Sequence, residues 1–219
     1  MVTFLPWRHG NTIPEMPQLR ANEAPEGTIG ERTITEVISI LETGGPNALV
    51  LAEVARRARV SLRDVYRLFG SRDDLMVTAV GEWMDTNAYK GLSGPVPDEL
   101  LLDALMRQFR RIFEPWEQNP RMLESYVYAT STANGERLLE QGFDAGGPAF
   151  APLLADLDAD FVEDLVLVMT HVPSSLIVRV AAGQLSITEV MPTIERILRR
   201  LVADIPLRAP AFDRARGGV

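Results

Sequence analysis

From Gly30 onward, apolar residues recur at helical spacing, and the runs are cut by glycines and by small capping residues. Ile34, Val37, Ile38 and Leu41 fall at i, i+3, i+4 and i+7, one face of a first helix that Gly44 and Gly45 stop. Asn47 is the expected cap of a second helix, with Leu51, Val54, Ala55 and Ala58 turned inward. After a break near Arg59 and Val60, Ser61 opens a short third helix carrying Val65, Leu68 and Phe69, and Gly70 ends it. Ser71-Arg72-Asp73-Asp74 resembles a capping box with Asp in the usual Glu position, and it starts a longer helix buried along Leu75, Met76, Ala79, Val80 and Trp83. Residues 91–97 read as a loop. Further helices are predicted near 98–118, 120–132 (Asn119 as cap, Pro120 at the first position) and 133–141. Residues 142–148 read as a second loop, followed by helices near 160–183 and 187–204. No stretch alternates as a strand does, so the expected fold is all-α.

The same pattern sets the expected organisation. Residues 1–29, with Pro6, Pro14, Pro17 and Pro25, form an irregular arm. Residues 30–75 make a three-helix head, residues 76–205 a helical body, and residues 206–219 a flexible tail.

Composition removes several kinds of chemistry. There is no cysteine, and His9 and His171 are the only histidines, so disulfides, thiolate catalysis and a histidine-rich metal site are not expected. Pro6, Arg8, Gly10 and Pro14 interrupt any secretory leader. The most apolar run, residues 165–178, holds His171 and Pro173 and has the length of a core helix rather than a membrane span. The expected setting is the cytoplasm, with no membrane partner and no cofactor.

A net charge of −8 argues at first against a nucleic-acid partner, but the charge is unevenly placed. Residues 76–219 carry 13 Arg/Lys and 20 Asp/Glu, a net of −7. Residues 51–72 carry Arg56, Arg57, Arg59, Arg63, Arg67 and Arg72 against Glu53 and Asp64, a net of +4. A compact basic face on an acidic protein is suited to phosphate binding.

Three short helices joined by tight turns have the layout of a helix-turn-helix. Packing of Val54, Ala55, Val60, Val65 and Phe69 across the second and third helices would leave Ser61, Leu62, Arg63, Asp64, Tyr66 and Arg67 facing a major groove. The string VARRARVSLRDVYRLFGSRDDL, positions 54–75, closely resembles the signature of TetR-family transcriptional regulators. Its marks are a small-residue second helix, a Val-Ser turn, aromatics three apart and a Ser-Arg-acid-x-Leu opening of helix four.

That resemblance implies a DNA-binding repressor acting as a homodimer on double-stranded operator DNA. It implies that Tyr66 and Arg72 contact phosphate and that Arg32 touches the backbone. Arg63 and Arg67 would then reach base edges, each arginine–guanine pair contributing about 1–3 kcal/mol of discrimination. Three departures matter. Arg59 stands where such families usually have glycine, Leu49 and Val50 replace hydroxyl residues, and Arg63 and Asp64 replace small ones.

In the body, Trp83, Met84, Phe109, Phe113, Trp116, Met122, Tyr126 and Met169 are the candidate lining of a ligand pocket, with core packing as the alternative for each. Arg107, Arg110, Arg111 and Arg121 are close in sequence and would suit an anionic ligand if they faced it. His171 reads as a core histidine. Residues 119–129 loosely resemble actinobacterial TetR-like repressors of sterol catabolism, which implies a small apolar effector of acyl-CoA or sterol-like class. The predicted dimer interface is a four-helix bundle using Leu176, Val180, Ile187, Val190, Ile194, Ile197, Leu198 and Leu201.

Two rival readings remain open on these residues. An enzyme would need a phosphate loop, metal-ligand spacing or a nucleophile with its base, and none of these is present in the sequence. A helical binding protein with a degenerate DNA-binding head is kept open by Asp64, Leu49 and Val50.

Overall fold

The computed structural model describes residues 28–202 and Ile205, so the expected arm over 1–27 and the tail from 206 lie outside the described residues. Among them there are nine α-helices and no strand. The expected all-α class holds.

The head comprises α1 (Ile29–Gly44), α2 (Leu51–Ala58) and α3 (Leu62–Phe69), and α4 (Arg72–Met84) leads from it into the body. Thr28 and Glu31 close a reciprocal capping box at the start of α1. Ser61 and Ser71 cap α3 and α4 as their sequence positions predict, each accepting from the backbone N–H three residues on. Asn47 does not cap α2. It lies in a 3₁₀ turn, Pro46–Ala48, and α2 begins after Val50 with no side-chain cap. Val37, Ile40 and Leu41 of α1 are buried against Val54 and Ala55 of α2, Val65 of α3 and Leu75 and Met76 of α4. Leu49 is buried in the same core, which accounts for an apolar residue where a phosphate-binding hydroxyl was expected.

The α2–α3 turn passes through Arg59 in the left-handed region, at φ 54 and ψ 46. A side chain there costs about 1–2 kcal/mol. Glycine removes that strain but gives back about 0.4–1 kcal/mol through the entropy of its unfolded chain. Arg59→Gly is therefore expected to gain about 1 kcal/mol, seen as a Tm higher by ~2–4 °C. An unchanged or lower Tm would show that Arg59 makes a compensating contact.

The body adds α5 (Leu101–Gln118), α6 (Pro120–Thr130), α7 (Glu136–Leu154), α8 (Ala159–Ala181) and α9 (Val190–Val202). A π-helical turn, Asp85–Tyr89, extends α4. Asn119 caps α6 through Met122 N, with Pro120 in the first turn. The predicted break over residues 142–148 is absent, because α7 continues through Gly142, Gly146, Gly147, Pro148 and Pro152. Each of these prolines costs a backbone hydrogen bond. Packing outweighs the local preference here, since Leu138, Ala149, Leu153 and Leu154 are all buried on the body. The small residues also admit neighbours: a Cβ on Gly142 would sit 3.0 Å from the Tyr89 hydroxyl.

The α9 stripe faces inward rather than outward. Val190, Ile194 and Leu198 are at most 3% exposed in the single chain, and Leu176 of α8 is also buried. These four predicted interface residues are committed to the chain's own core. Val180, Ile187 and Ile197 are half-buried and Leu201 is exposed.

Candidate DNA-binding face and ligand cavity

On α3, Leu62, Arg63, Tyr66 and Arg67 lie at i, i+1, i+4 and i+5 and are all exposed, which puts them on one side of the helix. Ser61 and Asp64 lock each other. The Ser61 hydroxyl donates to Asp64 Oδ2 at 2.7 Å, while the Asp64 N–H donates back to Ser61 Oγ at 3.0 Å. Arg67 donates to the other carboxylate oxygen at 2.7 Å. The Ser61 hydrogen bond, with the Arg67 charge, holds the Asp64 carboxyl below the usual carboxylate range.

The basic cluster is less free than its sequence suggests. Glu53 takes hydrogen bonds from both Arg56 and Arg57, and these draw its pKa down to about 2. Arg59 and Arg63 make no hydrogen bond or salt bridge among the described residues. Arg63 and Tyr66 are therefore the residues best presented for groove and phosphate contact.

Two expected DNA contacts are engaged inside the protein instead. Arg32 is half-buried, and its Nε donates to the Ala58 carbonyl at the end of α2 at 3.4 Å. Arg72 donates to the carbonyls of Leu49 (3.0 Å) and Pro46 (2.5 Å), and to the hydroxyl of Tyr128 (3.2 Å). Its guanidinium also lies 5.4 Å from the Tyr128 ring centre. Two turns along the same helix end, Asn134 donates to Asp74. Arg72 is thus a clamp between the loop before α2, the start of α4 and the body helix α6.

A cavity of about 500 Å³ lies between α5, α6, α7 and α8. Aromatic rings form one wall in succession. Phe150 lies 5.8 Å from Phe109, Phe109 lies 6.4 Å from Phe113, Phe113 lies 5.3 Å from Trp116, and Trp116 lies 5.1 Å from Tyr126. Of the residues expected from the sequence, Phe109, Phe113, Trp116, Tyr126 and Met169 line it. Trp83, Met84 and Met122 do not. Trp83 is buried with its indole N–H donating to Glu42 at 2.8 Å, and Met84 and Met122 fill the core. Tyr89, Phe143 and Phe150 were missed by sequence reasoning, together with the glycines of α7, because that part of α7 reads as a loop. Leu139 and Phe143 line the cavity yet remain 45% and 54% exposed, which places its mouth on α7.

No charged side chain lines this space. Arg107 is held by Glu99, Ser93 and Gly94, Arg111 by the Lys90 carbonyl, and Arg121 by Glu124. Arg110 reaches only Glu195, at 3.9 Å. His171, expected in the core, is exposed on α8. The Trp116 indole N–H is buried without a partner, which costs about 1–3 kcal/mol.

Burial raises the pKa of two lining phenols, Tyr126 to about 12 and Tyr89 further. A folded-state pKa above the unfolded 10.0 makes a contribution that is complete below pH 10 and lost as pH climbs through the folded value. Unfolding titrations should therefore show stability falling from about pH 10 upward, and Tyr126→Phe should flatten that fall. An unaltered slope in the variant would contradict the assignment.

A helix-turn-helix head joined through a long helix to a hollow helical body defines a class of two-part DNA-binding proteins. Residues 99–201 match the model of the tetracyclin repressor-like C-terminal domain. The structure is similar to that of a TetR transcriptional regulator from Rhodococcus sp. RHA1, with a TM-score of 0.60 and 21% identity over 79% of this chain and 94% of that one. A TetR-like transcriptional regulator from the same organism gives a TM-score of 0.54 and 15% identity over 82% and 98% of the two chains. No curated protein matches the chain in sequence. The chain belongs to the TetR family of transcriptional regulators.

Proposed function

We propose that the protein is a ligand-responsive repressor that binds a near-palindromic operator as a homodimer. The observation carrying this reading is the pairing of an open α3 face, Arg63 and Tyr66 foremost, with a hollow body to which the head is clamped by Arg72. Its working place would be chromosomal DNA in the cytoplasm, and its effector a small apolar molecule in the cavity.

The homodimer is supported by α8. This helix is long and apolar enough by length and composition to cross a membrane, yet only 22% of its apolar window is buried within the chain. Val178 is 55% exposed, and Leu167, Val168 and Val172 are half-buried. A second copy laid against α8, with Val180, Ile187, Ile197 and Leu201 at the margin, would cover it. The effector would act by favouring one spacing of the two heads over another, which requires different affinities for the two states.

The experiment is selection of bound fragments from random duplex DNA. The expected result is an inverted repeat with half-sites about one helical turn apart, roughly 34–36 Å. Enrichment of no sequence would remove the operator from this reading and favour a helical binding protein with a degenerate head.

A further inference from the structure

Every charged side chain near the cavity in sequence is turned away from it, and the lining holds none. A carboxylate or phosphate placed inside would meet no cation and would keep its full desolvation cost. The thioester class considered from sequence fails on this point, because its phosphates have nothing to pair with in the cavity.

The polar groups of the lining are also unequal. Thr170 and Ser174 spend their hydroxyl protons on α8 carbonyls, Val166 O at 2.8 Å and Thr170 O at 2.6 Å. The Tyr89 and Tyr126 hydroxyls make no hydrogen bond among the described residues, and the Trp116 N–H has no partner at all. An indole N–H only donates. The cavity therefore has donors to spare beside a wall of tilted aromatic rings, with Trp116 and Tyr126 adjacent to each other.

Resting on the ligand-responsive reading above, we infer that the cavity takes an uncharged, ring-bearing apolar molecule with a carbonyl-type hydrogen-bond acceptor directed at Trp116 and Tyr126. The acceptor supplies what the indole lacks, and the rings stack or meet edge-on with Phe109, Phe113 and Phe150.

The test is calorimetric titration of the full-length protein with three matched probes: fluorenone, fluorene and fluorene-9-carboxylate. Fluorenone is expected to bind about tenfold tighter than fluorene, and the carboxylate at least about 100-fold more weakly than the ketone. Trp116→Phe should reduce the ketone preference to within about twofold while leaving fluorene affinity nearly unchanged. Tyr126→Phe gives a second, independent reduction should the first variant fold poorly. A carboxylate that binds as tightly as the ketone would overturn the inference, as would equal binding of ketone and hydrocarbon or a ketone preference retained in both variants. In each of those cases binding by the probes leaves the ligand-responsive reading standing. If none of the three binds, the cavity is not a ligand site and both fall together.

Discussion

Arg72→Ala is expected to lower stability by about 3 kcal/mol, because the side chain holds two backbone carbonyls and a tyrosine from three separate segments. A charged donor to a carbonyl contributes about 1.5–3 kcal/mol when its loss leaves the acceptor bare, and partial exposure of Arg72 allows water to recover some of that. The side chain is 31% exposed, so the loss stays below the sum of its bonds. For a chain of this size the Tm should drop by ~6–12 °C. Arg72→Lys should recover little, since one ammonium cannot reproduce the planar fork that serves Leu49 and Pro46 together. Thermal melts of the variants decide the matter. A Tm within about 1 °C of the native protein, with DNA affinity reduced, would instead make Arg72 a phosphate contact.

The second large effect is the reverse in kind. Arg63 is exposed, has no hydrogen-bond or ion-pair partner among the described residues, and stands on the open face of α3. Arg63→Ala should leave the Tm unchanged within about 1 °C but weaken binding to selected DNA by about 10–100-fold, the range for one bidentate base contact. Binding to random DNA should change far less, because it depends on phosphate charge in general. Equal losses on both DNAs would demote Arg63 to a phosphate contact.

Much of the head was legible because its signals are local. Ser61, Gly70 and Ser71 act on the backbone within three or four residues, so their effect follows from spacing alone. Arg59 was marked by its place in the turn, and its left-handed conformation follows. What the sequence could not show is where long side chains end up. Arg72 sits at a position suited to phosphate, but the carbonyls of Pro46 and Leu49 and the ring of Tyr128 reach it first. Those partners are 23, 26 and 56 residues away.

The body was harder for a related reason. Gly142, Gly146, Gly147 and Pro148 carry strong local signals for a break, and tertiary packing of α7 overrides them. Losing that stretch of helix hid one wall of the cavity, including Phe143 and Phe150. The α9 stripe was seen, but an amphipathic pattern does not say whether the apolar side meets the same chain or another. Here α5 takes it, and the uncovered apolar surface is on α8.

The central claim is that the α3 face reads DNA. Its most direct measurement is fluorescence anisotropy of labelled duplex, selected from random sequence or taken from the DNA beside the chain's own gene, titrated with protein at several salt concentrations. The account predicts saturable binding that prefers this duplex over random DNA, weakens steeply as salt rises, and is reduced by Arg63→Ala at unchanged Tm. Binding with no preference at any salt by a folded dimer, unaffected by Arg63→Ala, would contradict it.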